Sequence, residues 1–163
     1  MNRLIVITVP YLYHDEARLI RMLFEEGLER LHLRKPGCDI DDLSHIIDQL
    51  PSVYYDRIVL HDHFSLVVER GLGGIHLNSR NPDAPSGFKG KISRSCHSIE
   101  ELVRFKPFCD YLFLSPIFNS ISKEGYGAAF TLETLLGARG IIDEKVIALG
   151  GICKENLGLL RDI

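Results

Sequence analysis

The sequence predicts an α/β fold, a closed (β/α)8 barrel of the TIM type built from parallel strands that alternate with helices. Short apolar runs recur at intervals of roughly fifteen to thirty residues, and a helical pattern separates most of them. Polar side chains follow almost every run, and a barrel would place all of them on the rim at the carboxyl ends of its strands. A doubly wound sheet would gather them at one switch point, and no GxGxxG turn follows the first run.

The first half of the chain predicts four strands. The run Leu4–Val9 is apolar and β-branched, which is typical of a strand buried on both faces of a parallel sheet. Residues 14–26 predict a helix, because apolar residues recur at helical spacing and Gly27 can end it. The elements that follow are the strands Arg30–Leu33, Arg57–Leu60 and Gly74–Leu77, the helix Asp41–Leu50, and a helical stretch that ends at Arg70.

The second half begins after a loop over 78–90 that is rich in Pro, Gly, Asn and Ser. Ser98 and Glu101 match a capping box, which predicts a helix that ends near Pro107. The other expected elements are the strands Lys91–Ser95, Tyr111–Leu114 and Val146–Leu149 and helices over Leu132–Ala138 and 154–162. These are seven strands in all, and a closed barrel of this type needs eight. We therefore expect one barrel domain over 1–163 that lacks its C-terminal strand.

Composition limits the classes of function. Charged residues make up 25% of the chain and hydrophobic residues 45%, which is ordinary for a soluble globular protein. The net charge of −3 argues against nucleic-acid binding, and no apolar run reaches membrane-spanning length. There is no recognisable secretion signal, and the cysteines form no CxxC pair, so we expect reduced thiols in a cytoplasmic protein. The cysteines are Cys38, Cys96, Cys109 and Cys153.

The polar loop after the sixth strand predicts a phosphate site. Hydroxyl and backbone N–H groups donate to phosphate oxygens, a lysine supplies charge, and glycine allows close approach of the backbone. The residues that offer these groups are Ser115, Ser120, Ser122, Lys123, Gly125 and Gly127. The alternative for this stretch alone is an ordinary polar surface loop.

Histidines near strand ends raise a second interpretation. His61, Asp62 and His63 could bind Zn²⁺ in a metallohydrolase, but His61 and His63 share a side only if the chain stays extended between them. We expect His76 to be a packed structural residue. Cys96 lies beside His97, yet adjacent side chains diverge on a strand, so a catalytic Cys–His pair is disfavoured.

Six motifs in order resemble the thiamine phosphate synthase/TenI superfamily of small (β/α) barrels. They are LHLR, LHDHFSLV, GIHLNSRN, RSCHSIEEL, DYLFLSPIFNSISK and IALGGI. The resemblance implies an enzyme of thiamin biosynthesis that binds small phosphorylated substrates and forms a homo-oligomer. The synthase of this superfamily joins hydroxymethylpyrimidine diphosphate to a thiazole phosphate with Mg²⁺, whereas TenI-type members resemble metal-independent thiazole phosphate tautomerases.

The resemblance also assigns roles to individual residues. Asp62 matches one Mg²⁺-binding aspartate, and His97 matches the catalytic histidine of TenI-type tautomerases, where a side chain that titrates near neutrality is needed. Together with Ser115, the residues expected to bind phosphate are Arg34, Lys35, Ser120, Ser122, Lys123, Gly150 and Gly151.

Three departures from the pattern favour the tautomerase. His61 replaces the asparagine before the metal aspartate, and Asn81 replaces the second metal aspartate. Pro36 stands where the pattern has a lysine, unless Lys35 takes its place. Mg²⁺ prefers charged oxygen ligands and a leaving diphosphate needs positive charge, so these changes weaken the synthase interpretation. The alternatives are the synthase, which alone would need Mg²⁺, and a non-catalytic thiazole phosphate-binding or regulatory protein.

Overall fold

A computed structural model describes residues 4–119, 129–160 and 163. The chain divides into two compact units, 1–91 and 92–163, and strands alternate with helices in both. Among the described residues, no helix has the length and apolar character needed to span a bilayer. The α/β class predicted from the alternating pattern is therefore confirmed.

The first unit contains four parallel strands, each paired with the next along the chain. In parallel sheets such neighbours are joined through a helix on the sheet face, and a helix or helical turn follows each of the first three strands. The elements are β1 (Ile5–Ile7), α1 (Glu16–Glu25), β2 (Arg30–Leu33), α2 (Ile40–Asp48), a 3₁₀ turn (Ser52–Arg57), β3 (Ile58–Leu60), α3 (Ser65–Arg70) and β4 (Gly74–Leu77).

Strand register sorts the side chains of the first unit onto two faces. Leu31 pairs with Ile58, and Leu60 pairs with Ile75, so these four side chains share one face and are fully buried. Helices α1 and α2 bury their own apolar side chains, among them Ile20, Phe24, Leu43 and Ile47. The opposite face of β2, β3 and β4 is also buried at His32, Val59 and His76, as the apolar runs predict for a parallel sheet, whereas β1 is half-buried along its whole length.

The second unit contains three parallel strands, again paired in chain order. Ser98 caps the first helix through a bond from the Glu101 N–H to its hydroxyl oxygen, which confirms Ser98 as the start of the helix, and the Glu101 carboxylate accepts from the backbone N–H of His97. Cys96, Leu102 and Leu114 belong to the core of this unit. The elements are β5 (Lys91–Cys96), α4 (Ile99–Phe105), a 3₁₀ turn (Lys106–Phe108), β6 (Tyr111–Leu114), α5 (Leu132–Gly137), β7 (Val146–Ala148) and a 3₁₀ turn (Leu157–Leu160).

Most predicted boundaries shift by one or two residues, and two predicted elements differ by more. The first strand is three residues long rather than the six of Leu4–Val9, because the main chain beyond it turns to meet the Lys35 ammonium. The predicted helix over 154–162 is a 3₁₀ turn, Leu157–Leu160, within the described residues. Gly158 lies inside this turn, and glycine costs about 1 kcal/mol relative to alanine in a helix.

A buried ion pair holds the first unit together at the carboxyl ends of its first two strands. The Lys35 side chain is only 1% exposed, and its Nζ donates to Glu16 Oε1 at 2.6 Å. The same Nζ donates to the carbonyls of Val9 at 2.9 Å and Tyr11 at 2.7 Å. Lys35 therefore joins the loop after β1, the start of α1 and the end of β2.

We expect Lys35→Met to destabilise the protein by about 3–5 kcal/mol, because Glu16 would be left as an uncompensated buried charge. Urea unfolding followed by circular dichroism measures the change. The double variant Lys35→Met/Glu16→Leu removes both charges and should recover at least half of the loss. Equal stability of the single variant and the wild type would show that the pair is not structural.

Candidate functional site

The predicted site residues lie just after the strands in each unit. In the first unit, Arg34, Asp62 and Asn81 follow β2, β3 and β4, respectively. Because parallel strands end at the same edge of a sheet, the topology brings these side chains to one edge. In the second unit His97 and Gly150 follow β5 and β7 in the same way.

Asp62 and Asn81, the predicted metal-binding pair, are in direct contact. Asn81 Nδ2 donates to Asp62 Oδ1 at 2.8 Å. Arg80 also donates to this carboxylate, with Nη2 3.1 Å from Oδ2 and both Nη2 and Nε 3.3 Å from Oδ1. The Asp62 side chain is 17% exposed and that of Arg80 is 44% exposed. The carboxylate is thus accessible, but in this arrangement a guanidinium neutralises it.

Asn78 shapes the loop that carries Arg80 and Asn81. Its Oδ1 accepts the backbone N–H groups of Arg80 at 2.9 Å and Asn81 at 3.2 Å, and its Nδ2 donates to the His61 carbonyl at 2.9 Å. This is the side-chain-to-backbone bonding that favours asparagine in turns. We did not predict roles for Asn78 and Arg80 from the sequence. Their position directly after a strand, in LNSRN, is the signal that could have identified them.

Arg34 and Lys35 are placed very differently. The backbone of Arg34 is held by Thr8, whose hydroxyl accepts the Arg34 N–H at 2.9 Å and donates to its carbonyl at 3.2 Å. The half-buried Arg34 side chain makes no hydrogen bond or ion pair within the part of the chain that the structure describes. By contrast, Lys35 already has three acceptors. Its geometry favours a structural role over the phosphate contact expected from the sequence.

The histidines of the first unit do not pair as the zinc interpretation requires. His63 has a positive φ of 52°, so the chain does not stay extended after His61, and His63 Nε2 instead donates to the Cys38 carbonyl at 2.8 Å. His61 lies with His32 and His76 in a buried cluster. Burial and the neighbouring His76 lower the pKa of both His32 and His61 well below the usual histidine range. These two imidazoles are therefore neutral at pH 7.

His97 in the second unit is exposed and has a defined tautomer. Its Nδ1 lies 2.9 Å from the Ser115 carbonyl oxygen, and because a carbonyl only accepts, Nδ1 carries the proton. Nε2 is then the basic nitrogen. The backbone N–H of His97 donates to Glu101 at 2.6 Å. Burial raises the pKa of the adjacent Cys96 thiol to about 12, which agrees with the expectation that it is not a nucleophile.

Gly150 and Gly151 form a turn that only glycine fits. Their φ angles are +97° and +63°, and a Cβ on Gly151 would lie 2.3 Å from the Asn119 carbonyl oxygen. The Gly150 carbonyl accepts from the Phe118 N–H at 3.0 Å. Within the described residues, neither glycine N–H donates to a protein acceptor. Such a pair of backbone donors suits an anionic ligand.

Ser115 is buried at the end of β6, and its hydroxyl lies 3.4 Å from His97 Nδ1. This position supports His97, and a phosphate contact by Ser115 stays a prediction. Ser120, Ser122 and Lys123 lie outside the described residues, so their assignment to phosphate binding also stays a prediction.

Comparison with known proteins gives a consistent result. The family model described as thiamine monophosphate synthase matches residues 4–163. The thiamine-phosphate synthase of Archaeoglobus fulgidus is 26% identical over 149 residues, which are 88% of this chain and 70% of the relative. The synthase of Chlorobium limicola is 29% identical over 159 residues, which are 89% of this chain and 75% of the relative.

Solved structures agree. A crystal structure of thiamine phosphate pyrophosphorylase from Bacteroides thetaiotaomicron is 45% identical, with a TM-score of 0.86 over 95% of this chain and 75% of the other. The pyrophosphorylase of Pyrococcus furiosus has a TM-score of 0.73 over 93% of this chain and 76% of the other, and at 22% identity it supports the fold alone. These matches confirm the resemblance found in the six sequence motifs. The chain belongs to the thiamine monophosphate synthase family, the superfamily of thiamine phosphate synthase and TenI.

Proposed function

We propose that the protein is a transferase that joins hydroxymethylpyrimidine diphosphate to a thiazole phosphate and releases diphosphate. The observation that carries the proposal is the 45% identity, over 95% of the chain, to a thiamine phosphate pyrophosphorylase. The proposal includes a closed (β/α)8 barrel, the fold in which parallel strands paired in chain order alternate with helices.

In the first unit we assign the diphosphate to the loops that carry Asp62 and Arg80. The Arg80 guanidinium is 44% exposed and bonds only to a carboxylate among the contacts described for its side chain, so it can exchange that partner for a phosphate oxygen. Arg34 follows the neighbouring strand and offers a second guanidinium. Two arginines would supply positive charge to a leaving diphosphate.

The donor set fits a Mg²⁺ ion that the substrate helps to hold. Mg²⁺ is commonly bound by one or two carboxylates together with substrate phosphate oxygens. Asp62 supplies the carboxylate, and Asn81, 2.8 Å away, supplies an amide that also restrains Asp62. When bound, the ion would neutralise charge that develops on the diphosphate. Asp62 and Asn81 position it, and Arg80 would leave the carboxylate as the ion arrives.

In the second unit we assign the thiazole phosphate to Gly150 and Gly151. Their main-chain bends bring two N–H groups to the end of β7, and Asn156 Nδ2 holds the turn by donating to the Gly151 carbonyl at 2.8 Å. Backbone donors of this kind bind phosphate without requiring a charged side chain.

A second candidate function is the tautomerisation of a thiazole carboxylate phosphate. The observation that favours it is the bond from His97 Nδ1 to the Ser115 carbonyl, which leaves Nε2 as an exposed base. A histidine with a defined tautomer is suited to moving a proton at neutral pH.

The synthase proposal predicts thiamine phosphate formation only when both substrates and Mg²⁺ are present. Asp62→Asn should lower the rate on the order of 100-fold, because the carboxylate of the metal site is lost. Asp83→Asn, a change at an exposed residue after β4, is the matched control and should keep the wild-type rate. Product formation is followed by chromatography. Folded protein that binds thiazole phosphate but makes no product would support the non-catalytic alternative.

Gly151→Ala should raise the KM for the thiazole phosphate more than that for the pyrimidine diphosphate. The added Cβ meets the Asn119 carbonyl at 2.3 Å, and the left-handed conformation costs on the order of 1–3 kcal/mol for a non-glycine residue. Gly137→Ala is the control, because a Cβ there meets nothing within 4 Å. Equal effects on both KM values would contradict the assignment.

The tautomerase alternative predicts that His97→Gln abolishes exchange of the migrating proton with solvent deuterium, which NMR of the thiazole measures. Glutamine keeps a polar side chain of similar reach but cannot act as a base. His45→Gln, at an exposed position on α2, should have no effect. If His97→Gln exchanges protons at the wild-type rate, His97 is not the catalytic base.

A further inference from the structure

Three histidines of the first unit form a buried cluster that the proposed reaction does not use. They are His32 in β2, His61 directly after β3, and His76 in β4. Their exposed fractions are 0%, 5% and 1%. A metal ion can be held where at least three histidine, cysteine or acidic side chains bring their ligand atoms together. Among the residues that the structure describes, these three histidines meet that condition.

Strand register explains why the three side chains meet. Val59 of β3 pairs with His32 on one side and with Gly74 on the other, so these three positions face the same way. His61 lies two residues beyond Val59, and His76 lies two residues beyond Gly74. Since side chains alternate along a strand, His61 and His76 return to the face of His32.

The ring nitrogens converge. His32 Nδ1 lies 2.9 Å from His61 Nε2, and one nitrogen from each of the three rings lies within 4.8 Å of the others. The His61 and His76 rings are stacked with centroids 4.2 Å apart, and the His32 ring packs edge-on against both at 5.1 and 5.2 Å. Three imidazole rings thus place a nitrogen atom each within one small volume.

We propose that His32, His61 and His76 form a binding site for a divalent transition-metal ion of the Zn²⁺ class. Three imidazole ligands with a fourth position for water form a common protein site for Zn²⁺. Imidazole nitrogen suits Zn²⁺, Cu²⁺ and Ni²⁺, whereas Mg²⁺ takes oxygen ligands. The site is therefore chemically distinct from the one at Asp62.

The distances need only small side-chain movements. Zn–N bonds of about 2.1 Å with tetrahedral angles place the three nitrogens about 3.4 Å apart. Rotations of the rings would lengthen the 2.9 Å distance between His32 Nδ1 and His61 Nε2 and shorten the widest distance among the three nitrogens. The proton now shared between His32 Nδ1 and His61 Nε2 must move to a ring nitrogen that faces away from the ion.

The main chain of His61 links the cluster to the loops that carry Asp62 and Asn81, because its carbonyl accepts from Asn78 Nδ2 at 2.9 Å and from Asn81 Nδ2 at 3.1 Å. An ion bound to His61 would restrain both loops, which gives the site a positioning role.

Metal titration of the chelator-treated full chain tests the proposal. We expect one equivalent of Co²⁺ to bind with the intense visible bands of a four-coordinate, nitrogen-ligated ion, and Zn²⁺ to displace it. His61→Asn and His76→Gln should each weaken Zn²⁺ binding by more than the roughly 100-fold that loss of an outer-shell partner costs. A chromophoric chelator in competition measures the affinity, and circular dichroism confirms folding.

Two controls exclude other ligands. His45→Gln removes an exposed histidine, and Cys38→Ser removes a half-buried thiol, and both should retain wild-type affinity. Wild-type protein that binds no Co²⁺, or binds it without the four-coordinate bands, overturns the proposal even if the histidine variants fail to fold. Unchanged Zn²⁺ affinity in folded His61→Asn and His76→Gln overturns it as well. Because the readout is metal binding, the result is independent of whether the synthase proposal holds.

Discussion

The register between neighbouring parallel strands is the constraint on which the rest of the structure depends. Paired positions face the same way, so a side chain on one strand determines what surrounds the equivalent side chain on the next. In the first unit this places Leu31, Ile58, Leu60 and Ile75 on one face and the three buried histidines on the other. A shift by one residue would exchange the two faces and destroy both the apolar layer and the polar cluster.

The fold was largely predictable because its signals are local. The apolar runs identify the strands, and the Ser98 capping box identifies a helix start that the structure reproduces. Prediction failed where a contact with a distant residue or a glycine outweighs the local pattern. The first strand is shorter than its apolar run, since the main chain after it turns so that the Val9 carbonyl accepts from Lys35 Nζ. The last predicted helix contains Gly158 and becomes a 3₁₀ turn.

The site was predictable only in part, because its contacts join residues far apart in the chain. The sequence motifs located Asp62 and Asn81, and the structure brings them to 2.8 Å. No local pattern could show that Arg80 neutralises this carboxylate, or that Lys35 forms a buried ion pair with Glu16. The structure also explains one departure from the family pattern. The side chain of His61, which replaces an asparagine, belongs to the histidine cluster rather than to the carboxylate site.

The bond that orients His97 comes from the main chain. A serine follows β6 at position 115, but its carbonyl, and not its hydroxyl, is the closer acceptor for Nδ1. Every amino acid carries that carbonyl, so the location of the imidazole proton depends on where the backbone runs and hardly on the side chain at 115. The side chain at 115 can therefore change without moving the proton from Nδ1, and the main chain directly after β6 determines the tautomer of the histidine.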